Sequence, residues 1–322
     1  VSEMRAALYD RYGPPEVLYE GTVRKPVAKP GEVLVRVHAT SVNGGELLGR
    51  AGRVRLVTGL VGRGFPKRIG MDFTGEVAAL GSAVPGLMLG DRVWGVMSRT
   101  FGSAAEFVAV RPRQLALAPA GLDLVEAAAL PVGTTVITAL RDKVRLKPGE
   151  RLLVRGASGG VGNVAVQLGR AYGAHVTALA RAANLDFVRG LGADEAFDYA
   201  ITGAVDLGPF DVVFDTVGTE LGTYRRLLAP GGRMVSIAFD IDHVVPSLSY
   251  ILASAVFGSR RVRFFSGRPT HRLFADLTGY VESGALRPVV DSVHPLADIA
   301  AAHRALEAGG VRGKHVIRIG HI

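Results

Sequence analysis

Arg155-Gly156-Ala157-Ser158-Gly159-Gly160-Val161-Gly162 is a stretch whose residue types and spacing can do chemistry. It follows the apolar run Arg151-Leu-Leu-Val154 and precedes the helix-patterned Asn163-Val-Ala-Val-Gln-Leu168. Glycine admits positive φ and lets a bulky group approach the backbone. A helix N-terminus directly beyond such a turn offers unpaired N–H groups and a positive dipole end to an anion. The spacing Ala157-x-Gly159-x-x-Gly162 is one glycine short of the usual dinucleotide fingerprint, but the strand-turn-helix context is the required one. Gly156, Ala157, Ser158, Gly159, Gly160, Val161 and Gly162 are therefore candidate contacts to a pyrophosphate. An NAD site wants an acid roughly 20 residues further on. Here the next strand ends Ala178-Leu179-Ala180-Arg181 and has none. An acid would repel a ribose 2′-phosphate, whereas Arg181 can bind it through a charge-assisted hydrogen bond worth ~1.5–3 kcal/mol. NADPH is the expected cofactor. Asn184 and Tyr199 lie on the same rim.

The elements that must position these residues follow from hydrophobic period. From 151 onward strand-like runs (RLLVRG, HVTALA, EAFDY, DVVFDTVG, RMVSIAF) alternate with helical ones. That alternation builds a parallel, doubly wound, Rossmann-type α/β sheet. TYRRLLAPGG reads as a helix with a Pro-Gly-Gly stop, and RVRFF (261–265) as a last strand. The first 120 or so residues are β-rich instead: GEVLVRVHATSV alternates as a half-buried strand does. A helix is expected from Asp123, with Asp123 as N-cap and Glu126 at the capping-box position.

Composition sets the broad class. The chain has 322 residues, 48% hydrophobic and 21% charged, as in a globular protein with a large core. No apolar run reaches the ~18 residues of a membrane span, and the first residues carry no secretory apolar stretch. There is no cysteine, which excludes disulfides, cysteine-ligated metal and a thiol nucleophile. A cytoplasmic home is expected. The net charge is +9, with basic residues gathered at Arg50, Arg53, Arg55, Arg63, Lys67 and Arg68, and again from Arg260 to Arg272. Neither group has a nucleic-acid recognition motif. A solvated basic face or an anionic small ligand accounts for them better.

Taken together, GERLLVRGASGGVG, LGADEAFDY, DVVFDTVG and LAPGGRMVSIA resemble the medium-chain dehydrogenase/reductase superfamily, and within it the zinc-independent quinone oxidoreductase branch. Blocks at both ends, among them MRAALYDRYGPPEVL, VRVHATSVNGGEL, FPKRIGMDFTGEV and LRPVVDSVHPLADIAAAHRALEAGGVRGKHVI, extend the likeness over nearly the whole chain. The resemblance implies a GroES-like β-rich substrate domain (1–122 plus 266–322) into which a Rossmann nucleotide-binding domain (123–265) is inserted, with the site in the cleft. It implies a homodimer joined through the 261–265 strand. It also implies roles. Asn43 matches an asparagine beside nicotinamide and substrate, and Thr135 or Thr134 a threonine near the nicotinamide. Val217 and Gly218 match the turn under the cofactor ribose. Phe264, Phe265 and Gly267 match the segment whose backbone holds the carboxamide. Lys314 either lies near the cofactor or caps the last strand.

Zinc-dependent relatives carry a cysteine after the strand that here ends Ser41-Val42-Asn43, and a His-Glu pair at Gly70-Met71-Asp72. Neither set of ligands is present, and a catalytic zinc needs about three protein ligands. Some quinone reductases place a tyrosine five residues after the asparagine, where this chain has Leu48. Others have Asn-Pro-x-Asp, where it has Asn43-Gly-Gly-Glu46. The expected activity is zinc-independent, NADPH-dependent hydride transfer to a quinone or an α,β-unsaturated carbonyl, with Asn43 and Thr135 as polar contacts. Two alternatives stand beside it: an enoyl-thioester reductase that meets its CoA or carrier protein through the 50–68 arginines, and a non-catalytic NADPH- or RNA-binding protein.

Overall fold

The structure, a computed structural model, describes residues 2–53, 64–97, 101–238, 262–264 and 269–320. The chain forms two compact units, Val1–Val132 with Arg268–Ile322, and Gly133–Gly267. In chain order the first unit opens with β1 (Glu3–Tyr9), β2 (Leu18–Arg24), β3 (Val33–Ser41), α1 (Gly44–Ala51), the short β4 (Lys67–Arg68), β5 (Asp72–Leu80), β6 (Arg92–Val96), β7 (Phe107–Val110), β8 (Leu115–Leu117) and α2 (Leu124–Ala127). The second unit holds α3 (Gly133–Ile137), β9 (Arg151–Arg155), α4 (Gly162–Ala171), β10 (His175–Ala180), α5 (Leu185–Gly190), β11 (Glu195–Asp198), β12 (Phe210–Asp215), α6 (Leu221–Arg226), β13 (Leu228–Ser236) and β14 (Val262–Phe264). The chain then returns to the first unit as α7 (His271–Glu282), β15 (Val290–Pro295), α8 (Ile299–Ala308) and β16 (Lys314–Arg318).

In the first unit β15, β16, β3, β5, β6 and β8 lie side by side in that order, and β7 also pairs with β3. The alternation in β3 puts Val33, Val35 and Val37 into a core with Phe73, Val77, Val93 and Leu115, while Arg36 points to solvent. Both chain segments of the unit are stitched together here, because β16 pairs antiparallel with β3. That pairing brings Lys314, from the far end of the sequence, to the turn after Ser41.

In the second unit the strand order is β11-β10-β9-β12-β13-β14, all parallel. The order reverses between β9 and β12, and such a switch point is where open α/β sheets take a ligand, beyond the carboxyl ends of the strands. Leu152, Leu153 and Val154 in β9 and Val212, Val213 and Phe214 in β12 have no solvent exposure. Strands covered on both faces read as continuous apolar runs rather than alternating ones.

Two boundaries differ from the sequence expectation. The first unit runs on to Val132, past the expected 122, because α2 belongs to it. Thr74 Oγ1 donates to Leu124 O at 2.6 Å, and Ala128 packs with Ala39 and Val316. The cap of this helix is as expected: Asp123 accepts from Val125 N and Glu126 N. The second difference is the Pro-Gly-Gly stop. The helix ends earlier, at Arg226, and Leu228 already pairs with Phe210. Between Phe210↔Leu228 and Val212↔Arg233 the partner strand advances two residues while β13 advances five. Pro230-Gly231-Gly232 is therefore an outward bulge within a strand, not the end of a helix.

Candidate functional site

In the nucleotide-binding unit β9 runs straight into the glycine turn. Gly156 has φ +71°, and a Cβ there would lie 2.3 Å from Thr216 Oγ1. Gly162, at the start of α4, has its own requirement: a Cβ would lie 2.0 Å from Gly156 O. The turn is thus folded tightly on itself and against the residues that follow β12. By contrast a Cβ on Gly159 would meet only Gly156 O, at 3.4 Å, so one face of the loop backbone is open, as close approach of a pyrophosphate requires. The loop is braced from within: Asn163 Nδ2 donates to Gly159 O and Gly160 O, both at 2.9 Å. The residues present fit a dinucleotide.

The rim assigned to the 2′ position is assembled as a unit. Arg181, exposed at the end of β10, donates through Nε to Tyr199 Oη at 2.9 Å. The buried Asn184 donates from Nδ2 to Ser158 Oγ at 3.1 Å and from its backbone N to Arg181 O at 2.8 Å. Four of the sequence candidates, Ser158, Arg181, Asn184 and Tyr199, thereby form one connected edge.

The turn after β12 has an organiser that the sequence did not reveal. Asp215 is fully buried. Its Oδ1 accepts from Arg155 Nη1 at 2.9 Å and Val217 N at 3.2 Å, and its Oδ2 from Gly218 N and Ser236 Oγ, both at 2.9 Å. The Arg155 guanidinium lies over the Tyr224 ring at 3.6 Å. Val217 is left exposed and Gly218 takes φ +84°. Of the two threonines, Thr134 is buried and Thr135 half-buried, so Thr135 is the more accessible. Phe264 is half-buried against a core that includes Leu153 and Met234. Phe265 and Gly267 lie outside the described residues.

The substrate-domain unit carries a second polar cluster around Asn43. This residue is the N-cap of α1, yet its side chain makes no cap hydrogen bond. An N-cap asparagine normally accepts from the first-turn N–H groups, and losing that bond costs about 1 kcal/mol. Here Oδ1 instead accepts from Lys314 Nζ at 2.5 Å. Nδ2 faces Ser41 O, Glu46 Oε1 and Asp72 Oδ2, each at 3.0 Å. Asp72 also accepts from Thr40 Oγ1 at 3.0 Å and from Ser41 N and Ser41 Oγ, both at 2.6 Å. Lys314 reaches Val42 O at 3.0 Å. It does more than cap β16: it ties that strand to the turn after β3.

Burial governs the charges in this cluster. The Glu46 carboxyl is pushed up to about 8, first by burial and then by the neighbouring Asp72 charge, against the opposing pull of Asn43 and Lys314. Burial lowers the Lys314 ammonium, with Asp72 and Glu46 opposing. Behind Glu46, His303 Nε2 stands 4.0 Å from its Oε2. Arg50 Nη1 approaches His303 Nδ1 at 3.2 Å. A guanidinium can only donate, so Nδ1 holds the lone pair and the imidazole proton sits on Nε2, facing Glu46. Burial and the Arg50 charge hold His303 neutral, down to about 3.

Arg50 corrects the picture of a basic face. It is buried and bonded to Gly13 O, His303 and Glu307. Lys67 donates to Tyr12 Oη at 2.7 Å. Arg53 is exposed, and Arg55 and Arg63 lie outside the described residues. The donor set at Asn43 also does not fit a zinc ion. The carboxylate of Asp72 already accepts four hydrogen bonds, and an ammonium sits on Asn43. Among the described residues no helix is long and apolar enough to cross a membrane.

With this geometry in view, the comparisons are consistent with one another. Residues 29–120 match the family described as alcohol dehydrogenase GroES-like domain, and residues 191–317 that described as zinc-binding dehydrogenase. The chain is 33% identical to 2-methylene-furan-3-one reductase of Solanum lycopersicum, over 98% of this chain and 79% of that protein. It is 31% identical to the chloroplastic NADPH-dependent alkenal/one oxidoreductase of Arabidopsis thaliana, over the same shares. The solved structure of the quinone oxidoreductase from Coxiella burnetii superposes with a TM-score of 0.88 at 28% identity, covering 99% of this chain and 100% of that one. The chain belongs to the medium-chain dehydrogenase/reductase superfamily, in its quinone oxidoreductase branch.

Proposed function

We propose that this protein is an NADPH-dependent, zinc-independent reductase of α,β-unsaturated carbonyls or quinones. The observation that carries the cofactor choice is the Arg181–Tyr199 pair at 2.9 Å, on a rim bonded to the glycine loop through Asn184 and Ser158. A guanidinium and a phenol suit a 2′-phosphate, and the end of β10, where an acid would bind a bare 2′-hydroxyl, carries Arg181 instead. Relatives named for alkenal, furanone and quinone reduction support the substrate class. When bound, NADPH supplies a hydride. The chain's own residues do the rest. The glycine loop and α4 hold the pyrophosphate, and the Asp215-braced Val217–Gly218 turn supports the ribose. In the first unit the cluster around Asn43 is the proposed contact for the substrate carbonyl and the charge that develops on its oxygen; in the second unit Thr135 is the polar contact proposed for the nicotinamide end. An already electron-poor double bond needs no Lewis acid to accept hydride, which suits a cluster whose carboxylate is saturated and whose cation is Lys314.

A homodimer in the cytoplasm, joined along β14, completes the reading. β14 pairs with β13 and lies last in the strand order among the described residues, and such a strand presents an edge that a second copy can extend. The test is NADPH oxidation across a panel of enones, quinones and enoyl thioesters, with NADH in parallel. Turnover of enones or quinones with preference for NADPH is expected. Turnover confined to thioesters, or equal use of NADH, would overturn the reading.

A further inference from the structure

Arg50, Arg155 and Arg233 each sit against a carboxylate, that of Glu307, Asp215 and Glu150 respectively. Arg68 of β4 does not. It is half-buried, and among the described residues no hydrogen bond or ion pair engages its guanidinium. Burial lowers it from the usual arginine range, and no neighbouring charge opposes that. The sequence offers no counter-charge nearby: it has no acid between Glu46 and Asp72, nor between Asp91 and Glu106. Asp72 itself already accepts four hydrogen bonds. Arginines taken out of water are ordinarily paired, because an unmatched cation costs free energy there. The adjacent Lys67 shows the contrast, since its Nζ donates to Tyr12 Oη at 2.7 Å.

The guanidinium is nevertheless held in place. A Cβ on Gly102 would lie 3.0 Å from Arg68 Cζ and Nε and 3.1 Å from Nη2, so the face of the guanidinium rests on bare backbone. Gly102 has φ +142° and donates its N–H to Gly70 O at 2.8 Å. Gly70 has no room for a side chain either, as a Cβ would lie 2.2 Å from Ala104 N. Stacking uses the face of a guanidinium and leaves its edge, where the five N–H donors point. The same unit joins this cation to the Asn43 cluster. Asp72, which accepts from Asn43, is four residues beyond Arg68, a span of at most about 14 Å. Met71 precedes Asp72 and Phe101 precedes Gly102, and both half-buried side chains lie against α1. A Cβ on Gly45 would be 3.6 Å from Met71 Sδ, and one on Gly49 3.3 Å from the Phe101 ring. Beside Asn43 the start of α1 is open, for Gly44 is exposed and a Cβ there would meet nothing within 4 Å. The substrate-domain unit thus carries a polar amide, apolar side chains and an unmatched cation.

We propose that Arg68 binds an oxyanion, a carboxylate or a phosphate, that the substrate carries at the far end of an apolar chain from its carbonyl. The proposal rests on the enone-reductase reading above, which gives the carbonyl end to Asn43. A planar fork of N–H donors matches the paired oxygens of either anion. The ligand supplies the counter-charge and the acceptors that Arg68 lacks within the chain. The substrate class is then an unsaturated carbonyl with an anionic tail rather than a wholly neutral enone.

The test compares three series of enones, ending in a carboxylate, a phosphate monoester or a neutral amide, on alkyl spacers of increasing length. NADPH oxidation gives KM and kcat for each. In the wild type one anionic series should show a KM about tenfold or more below that of the matching amides, the gain from a charge-assisted hydrogen bond. Whichever series gains identifies the anion. Arg68→Gln should raise that KM to the amide's value and leave the difference out of kcat, the pattern of a group that binds ground and transition states alike. Arg68→Lys keeps the charge but loses the fork, and should restore part of the preference. The thermal midpoint of Arg68→Gln should not fall, since no bond within the chain is lost. A variant that fails to fold would give the guanidinium a structural role and overturn the proposal. Equal KM for anions and amides in the wild type, or a preference that survives Arg68→Gln, also overturns it and leaves the enone-reductase reading intact. A wild type that reduces no enone of any series with NADPH overturns both.

Discussion

Arg181 is the single residue on which the cofactor choice turns. Its partner Tyr199 is 18 residues away and Arg181 itself is exposed, so removing the guanidinium should leave the fold intact. Losing a charge-assisted bond worth ~1.5–3 kcal/mol should weaken NADPH in Arg181→Ala by about tenfold or more and leave NADH unchanged. Calorimetric titration of both cofactors checks this. Glu46 makes the second residue-scale prediction. Its carboxyl is raised in the folded chain from 4.5 to about 8, so between those values the folded state binds more protons than the unfolded one. Stability is then complete below the lower value and is lost as pH rises towards the upper one, with a slope of up to ~1.4 kcal/mol per pH unit. Glu46→Gln cannot ionise, and its denaturant midpoints should lose that slope between pH 5 and 8. The two residues differ in how legible they were. Arg181 sits at a fixed distance from the glycine loop, so counting alone singles it out as a candidate. Asn43, Asp72 and Lys314 are separated by 29 and 271 positions. Only the β3–β5 and β3–β16 pairings unite them, and nothing local in the sequence encodes those pairings. The resemblance pointed to Asn43 and, less definitely, to Lys314. Glu46 and Asp72 drew notice only as departures from relatives' motifs.

At the scale of elements, the strands of the nucleotide-binding unit were readable because each is a short apolar run bounded by turn residues. Their alternation with helices gave a parallel sheet, while the order of the strands came only from their pairing. The bulge in β13 was not, because Leu-Ala-Pro-Gly-Gly has the same chemistry whether it ends a helix or loops out of a strand. Pairing of Leu228 with Phe210 decides it. The Arg155–Asp215 pair was hidden for another reason: it joins the last residues of two neighbouring strands, 60 positions apart. With Asp215 buried and both its oxygens engaged, Asp215→Ala takes the buried carboxylate from the Arg155 guanidinium and leaves it Thr219 O and the more distant, exposed Glu220. Breaking such a pair costs roughly 3–5 kcal/mol, and the Val217–Gly218 turn loses two of its anchors. The variant should melt lower and bind NADPH more weakly, by thermal denaturation and calorimetry. Gly162→Ala tests the loop more gently. Its Cβ must displace Gly156 O from 2.0 Å, an overpacking penalty of about 1–3 kcal/mol. Affinity for NADPH and NADH should fall together, because the pyrophosphate is common to both.

At the scale of the whole molecule, composition foretold a large core but misplaced the charge. Of the basic residues between 50 and 68, Arg50 is interior and Lys67 lies against the Tyr12 and Phe65 rings, so the run does not amount to one solvated face. The expected boundary at 122 fell short for a similar reason, since the helical pattern after Asp123 looked like the start of the next domain while its contacts belong to the first. The residues proposed to hold the pyrophosphate and the 2′-phosphate, from Gly156 to Tyr199, all lie in the second unit. A ligand that binds only folded chain raises stability by RT ln(1 + [L]/Kd), about 2.7 kcal/mol at a hundredfold excess over Kd. NADPH at that level should therefore raise the thermal midpoint, measured by circular dichroism. NADH at the same concentration should give less, by about 1.4 kcal/mol for each tenfold difference in affinity, and Arg181→Ala should make the two cofactors equal. Trp94, the single tryptophan, lies fully buried in the first unit, 6.4 Å from the Phe274 ring. Its emission reports the packing of the unit that does not carry the glycine loop, which is why backbone dichroism is the readout for this shift. A midpoint that rises equally with both cofactors in the wild type would remove Arg181 from the site and leave the glycine loop as the only part of the cofactor assignment still standing.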